Sequence, residues 1–242
     1  MKYVAELAHV REVSLLGSAD FAFWAERLKG EGLMPVEHAT QARVMLMACD
    51  SKFFGMRFRE LSFSVFVHRP DTSDPSNAAC LVQAFNSSRF FAWSERTWFS
   101  TPYDHGMIEV NVGLPASIGL VLAGQSVFRA EMAANSAAPT RVPARRGIEG
   151  WNGPIYLPSG KRDGTAAGRL FFAKIEGETE TFPFAPTDSL TINPFSGSPI
   201  LQALNDSHFV AREWQIRRDA KHAKSKTYRR MDPQVKTHLS KS

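Results

Sequence analysis

The sequence predicts an α+β fold: a large, mostly antiparallel sheet rolled into a barrel, with few helices. Three observations predict it. Short runs of alternating or continuous apolar residues recur along most of the chain, turn-rich spacers separate them, and only one helix is strongly signalled. A chain of 242 residues with that many strands rolls up or forms a sandwich, because open sheet edges are a liability. No internal repeat, low-complexity tract or long linker divides it. One domain is therefore expected over 1–220, followed by a basic tail over 221–242.

The helix lies in "SADFAFWAERLKGEG", where Phe21, Trp24, Ala25 and Leu28 share one face. Ser18 or Asp20 can cap its start, because a short side-chain oxygen accepts from the free first-turn N–H groups. Gly30 can take the left-handed conformation that ends a helix, and Pro35 forbids continuation. Strands are expected at 43–49, 60–68, 79–85, 107–113, within 119–132, and at 169–177, 180–184 and 208–216. A short helix is expected at 198–206. Turns are expected in "RPDTSDPSN", "NGPIYLPSGKRDG" and "NPFSGSP". In the strand 60–68, Leu61, Phe63, Val65 and Val67 fall on one face. Glu60, Ser62, Ser64, Phe66 and His68 fall on the other. That second face is either wetted by bulk solvent or lines a barrel cavity.

Composition excludes several classes. Hydrophobic content of 43% and charged content of 22% are those of a soluble globular protein, and no apolar run reaches transmembrane length. The N-terminal stretch has no signal-peptide apolar block, so a cytoplasmic protein is expected. Cys49 and Cys80 sit inside apolar runs and read as buried free thiols. No Cys/His spacing resembles a zinc site, and no metal or cofactor is expected. Residues 211–242 hold ten Lys or Arg against three acids, or +7, so the other residues sum to −2 of the total +5. The basicity belongs to the C-terminal end.

Common catalytic motifs are absent. "LPSGKRDG" lacks phosphate-loop spacing, and there is no nucleophile elbow. Asp104, His105 and Glu109 could bind a metal or move protons, but a polar cluster where loop meets strand is the simpler reading. The stretch 89–103, "RFFAWSERTWFSTPY", interleaves five Phe or Trp with Arg89, Glu95 and Arg96. A site that holds a polar ligand out of water needs both kinds of residue. A solvated Glu95–Arg96 pair on a loop is the alternative.

Four pieces in one order carry a resemblance: "VREVSLLGSAD" with "LKGEGLMP", then "RVMLMACDSKFFGMRFREL", then "RFFAWSERTWFSTPYD", and finally "HFVAREWQIRRDAKHAKS". Together they resemble the acetoacetate decarboxylase-like superfamily, most clearly over residues 1–110. The resemblance implies an antiparallel, cone-like β-barrel with the site inside. The family's decarboxylases form a Schiff base through a lysine, surrounded by an arginine and two glutamates. Carried over by position, the arginine matches Arg11 and one glutamate matches Glu60. The other glutamate falls on Met45. The lysine falls near Glu95–Thr97, in the stretch that resembles the family's catalytic strand and loop, but there is none there, and no lysine occurs between Lys52 and Lys161. Arg96 keeps a positive charge there but stays protonated and cannot act as an amine nucleophile.

The resemblance therefore implies a barrel that binds a small oxo- or hydroxy-carboxylate, or an aromatic polyketide-like acid, without Schiff-base chemistry. It would be a lyase acting by decarboxylation, dehydration or proton transfer. Glu60, Arg96 and Arg11 are the candidate catalytic residues, with Glu60 as general acid or base and an arginine on the carboxylate. Trp93, Trp98, Phe91 and Met45 would form walls, and Tyr103 could donate to an oxyanion. Lys174 is the lysine to watch for an imine. The alternatives are a non-catalytic ligand-binding barrel, a possible homo-oligomer in either case, and, less favoured, nucleic-acid binding through "RRDAKHAKSKTYRR".

Overall fold

A seven-stranded ring with an extra layer outside it is what the alternating runs build. In this computed structural model, which describes residues 2–70, 78–134, 143–159, 168–194 and 197–230, the elements run as follows. They are β1 (Tyr3–Asp20), α1 (Phe21–Lys29), β2 (Met34–Pro35), β3 (Glu37–His38), β4 (Gln41–Phe53), β5 (Met56–His68) and β6 (Ala78–Asn86). Next come α2 (Arg89–Ser94), a π-helical segment (Glu95–Phe99), β7 (Tyr103–His105), β8 (Met107–Asn111), β9 (Ser117–Leu122) and β10 (Gln125–Glu131). The chain continues through β11 (Arg145–Leu157), β12 (Arg169–Pro183), β13 (Ser189–Ile192), α3 (Pro199–Asp206), β14 (Val210–Ser225) and β15 (Tyr228–Arg229).

Neighbouring strands run β5–β4–β1–β14–β12–β11–β6, and β6 pairs back onto β5. Seven strands in a closed ring cannot all alternate in direction. The one parallel contact is β6 with β11, at Ala79–Ile155 and Cys80–Tyr156. A second sheet, β13–β10–β9–β8, lies outside the ring. The main core fills the space between them. It joins Val13 and Leu15 (β1), Leu46 (β4), Leu61 and Phe63 (β5) and Trp214 (β14) to Ile118, Leu120 and Phe128 of the second sheet. Trp24 and Leu28 of α1 and Leu201 and Leu204 of α3 complete it. The apolar face of β5 thus points out of the ring, and its Glu60–Ser62–Ser64 face points in.

Most expected elements form, with informative differences. Asp20 caps α1 by accepting from Phe23 N at 2.6 Å. Gly30 is right-handed; Gly32, at φ 61°, takes the left-handed conformation expected of it. Strands expected at 169–177 and 180–184 are one, β12, and β11 occupies 145–157, so "NGPIYL" is strand and not turn. Residues 89–99 are helical, not strand and loop. β14 runs to Ser225, so the boundary expected after residue 220 falls inside a ring strand. Parts of the expected turns at 69–77, 152–164 and 193–199, and the tail from 231, lie outside the described residues. Where β1 meets β14, Gly17 is required: a Cβ there would stand 2.3 Å from Val210 O.

Candidate active site

The inward face of the ring is part apolar and part charged. Ala79, Leu81, Ala84, Tyr103, Ile155, Leu157 and Phe171 form an apolar cluster separate from the main core. Beside it stand two groups of ionisable residues.

The first group surrounds Glu12. β1 presents Glu12 and Ser14 inward, alternating with Val13 and Leu15, and β14 presents Arg217 directly opposite Glu12 and His222 farther along the strand, opposite Leu7. Glu12 is fully buried. It accepts from the Arg217 guanidinium, from the Ser14 hydroxyl at 2.9 Å, and pairs with His222 Nε2 at 2.8 Å. Burial alone would raise its pKa, but Arg217, His222 and Ser14 outweigh burial and hold it at about 2. The Nε of Arg217 is buried without a hydrogen-bond partner.

The second group surrounds Glu60. It sits on β5 opposite Cys49, with the Tyr103 hydroxyl beside it. Burial pushes its carboxyl above the ordinary range. The Tyr103 hydroxyl opposes that push, the nearby Glu95 adds to it, and Lys224 and His222 oppose it. Tyr103 is raised too, by burial and by the charges of Glu60 and Glu95. Cys49, between Glu12 and Glu60, is held as a thiol by burial and by both carboxylates.

β5 and β14 are three strands apart around the wall, or about 14 Å at a strand spacing of about 4.8 Å. Glu60 nevertheless feels the charges of Lys224 and His222 on β14. Side chains that far apart along the wall converge only on its concave side, so this is the interior of the ring. Glu60 also keeps some accessible surface, unlike the sealed residues of the main core.

Lys224 reaches inward to Glu95 at 2.5 Å. Its ammonium lies 4.6 Å from the Phe171 ring, 4.8 Å from Phe99 and 5.9 Å from Tyr103. Glu95 also accepts from the Thr101 hydroxyl at 2.7 Å. The π-helical segment turns Glu95 into the ring and leaves its neighbour Arg96 outside.

The sequence-derived candidates separate accordingly. Glu60 and Tyr103 meet inside. Met45 is half-buried on the inward face of β4, opposite Ser64. Phe91 packs on Phe58 at 5.2 Å; Phe58 lies two residues from Glu60 on the same face. Arg96 is not in the ring. It donates to Asp104 at 3.0 Å and lines an outer pocket of about 310 Å³ with Arg27, Gln83 and Ile200. Arg11 is exposed beside Asp50, because strand alternation puts it on the outward face with Val13 and Leu15. Trp93 and Trp98 are surface residues. Lys174 pairs with Glu176 at 2.7 Å, well exposed. Asp104 is tied to Arg96 and Gln83, and Glu109 to Arg129. Glu12 and Ser14 could have been found from the alternation in "REVSLL". Lys224, His222 and Arg217 could not, for reasons given below.

No family model matches the chain, and no curated protein matches it. Solved structures do. Acetoacetate decarboxylase from Legionella pneumophila aligns over 93% of this chain and 86% of its own, at 13% identity and TM-score 0.62. MppR, an enduracididine biosynthesis enzyme complexed with the condensation product of pyruvate and imidazole 4-carboxaldehyde, aligns over 95% and 90%, at 12% identity and TM-score 0.59. An acetoacetate decarboxylase-like enzyme from Sphingomonas wittichii RW1 aligns over 95% and 93%, at 12% identity and TM-score 0.56. This chain has the acetoacetate decarboxylase-like fold, a cone-like barrel with its polar face inside. Among the described residues, no helix is long and apolar enough to cross a membrane.

Proposed function

We propose that the ring interior binds a small oxo- or hydroxy-carboxylate and that Glu60 with Tyr103 moves a proton on it. The observation that carries this reading is the placement of Glu60 beside Tyr103 in an apolar-walled interior, with the Glu60 carboxyl raised toward its neutral form. A carboxylic acid kept protonated can donate as well as accept. On a 3-oxo acid, for example, the bond to the carboxyl carbon breaks as CO2 leaves. Its electron pair becomes the enol double bond, and the carbonyl oxygen takes the proton from Glu60. Lys224 takes the carboxylate-binding part that the resemblance assigned to Arg96 or Arg11. Its ammonium is inside, and a ligand carboxylate would compete with Glu95 for it.

Glu60→Gln keeps shape and removes the titrating proton. Ligand affinity should stay within about tenfold, or roughly 1.4 kcal/mol, while turnover is lost; Lys224→Met should weaken carboxylate binding by more than that. Calorimetry with a panel of short oxo- and hydroxy-acids checks both. If Lys224→Met binds them as tightly as the parent, the reading fails. Binding without turnover, with Glu60→Gln unchanged, would make the chain a ligand-binding barrel.

One observation favours a second reading. The expectation of no imine rested on the lysine-free stretch before Lys161, whereas Lys224 enters the same interior from β14. Glu95 could take its proton and free the amine to attack a ligand carbonyl, with loss of water. Borohydride reduction in the presence of acetoacetate, followed by peptide mapping, decides between them. The first reading expects no adduct; an adduct on Lys224 establishes the second.

A further inference from the structure

The helical segment that turns Glu95 inward has an outer face that serves no core. Phe90 is 51% exposed, Trp93 46% and Trp98 62%; across from them at the β4–β5 turn Phe54 is 86% exposed and Met56 48%. The rings form one chain of contacts: Phe54 on Phe53 at 4.4 Å, Phe53 on Phe91 at 6.3 Å, Phe91 on Phe90 at 5.7 Å, and Phe90 on Trp98 at 6.4 Å. Trp93 closes the group, 5.3 Å from Trp98. Large apolar side chains offer roughly 150–250 Å² each, so five exposed to this degree present about 600 Å². A lone soluble chain rarely shows a larger patch than that.

Phe54 adds an independent observation. Its φ is 48° and that of Gly55 is 80°, the two-residue turn for which Asn-Gly is the favoured pair. A bulky residue in the left-handed region is strained, and this one puts its ring into water. The strain gains the single chain nothing in its core.

We infer that this patch is a two-fold interface with a second copy of the same chain. Three features select that occupant. The area approaches the roughly 800 Å² per partner of a stable interface once its rim is added. The patch holds both a knob, Phe54, and an aromatic floor, Phe90–Trp93–Trp98, so a two-fold rotation seats each knob on the other floor. Of the nearby cations, Arg57 and Arg59 are held by Asp50 and Arg96 by Asp104, while Lys52 and Arg89 stand exposed at the edge of the patch. A surface built for an anionic membrane or a nucleic acid would leave most of its cations free, whereas an aromatic centre with its charges at the rim suits a protein interface.

Sedimentation velocity of the full chain at 1–50 μM tests the inference, with far-UV circular dichroism to verify folding. The parent should sediment at twice the chain mass. Phe54→Asn suits the turn and removes the knob, and Trp98→Gln removes part of the floor. Each should raise the dimer dissociation constant at least tenfold, and the double variant should be a folded monomer. A monomeric parent at 50 μM overturns the inference. So does a dimer indifferent to both substitutions, or a monomer that floats with phosphatidylserine vesicles.

Discussion

Two carboxylates on the inner wall, one on each side of Cys49, have opposite fates. Glu12 faces Arg217, His222 and Ser14 and is held ionised; Glu60 faces Tyr103, Glu95 and apolar walls and is pushed toward its neutral form. Glu12 is sealed and Glu60 keeps some accessible surface, so burial alone would raise Glu12 at least as far as Glu60. The difference is the number of donors and cations each receives at close range. Fully compensated charge is structural. Partly compensated charge is poised for proton transfer, and neighbouring acids driven apart in this way mark acid–base sites.

The largest effect should come from breaking the compensated side. Glu12→Gln leaves the buried Arg217 without its counter-charge and should destabilise the fold by about 3–5 kcal/mol, read by urea unfolding. The same pair sets an acid limit. A carboxyl whose folded pKa lies near 2 against an ordinary 4.5 contributes stability that is complete above about pH 4.5 and lost as pH falls toward 2. Glu12→Gln should flatten that part of the parent's pH profile.

Glu60→Gln should act in the opposite direction. A raised folded pKa means that ionising Glu60 costs stability as pH climbs from the ordinary carboxylate range to the raised value. The variant should match the parent in mild acid and be the more stable of the two at neutral pH, as active-site substitutions often are. Equal unfolding midpoints at pH 7 would mean that Glu60 is as well compensated as Glu12. Tyr103→Phe sharpens the point. The phenol favours the ionised form, so its loss should move the upper end of the Glu60 titration to still higher pH.

The smallest effect belongs to the outer pair. Arg96 and Asp104 are half-exposed, and such pairs contribute about 0–1 kcal/mol. Arg96→Met should change stability within that range and leave the Glu60 titration where it is. A shifted Glu60 profile in this variant would show that the outer charge reaches the interior after all.

The same stretch, 89–103, shows how far a linear pattern can be read. Its mixture of aromatic and charged residues draws attention to it, but the expected strand-and-loop would have put alternate residues on opposite faces of a wall. The π-helical turn instead sends Glu95 and Phe99 inward, to Lys224, and Trp93, Trp98 and Arg96 outward. A change of helical pitch leaves no mark in composition. On β14 the alternation Trp214, Ile216 is legible, and then adjacent arginines and register shifts against β1 break it. Beyond such a shift, parity no longer tells which residues face inward. That is why Arg217, His222 and Lys224 were out of reach; Arg11 was carried inward by the resemblance alone, although alternation with Val13 and Leu15 puts it on the outer face.

What the sequence determined by itself was the class of fold, the α1 helix with a cap at Ser18 or Asp20, the strand period and the division of β5 into an apolar face and a polar face that holds Glu60. Those follow from local sterics and from burying one face of each strand, which a single chain carries in its own spacing. The tertiary structure alone decided which charges meet. Closing the ring brings β14 to within electrostatic reach of β5, strands more than 140 residues apart in sequence. The strength and sign of each pKa shift depend on that distance and on the dielectric it crosses, and neither exists until the wall is closed.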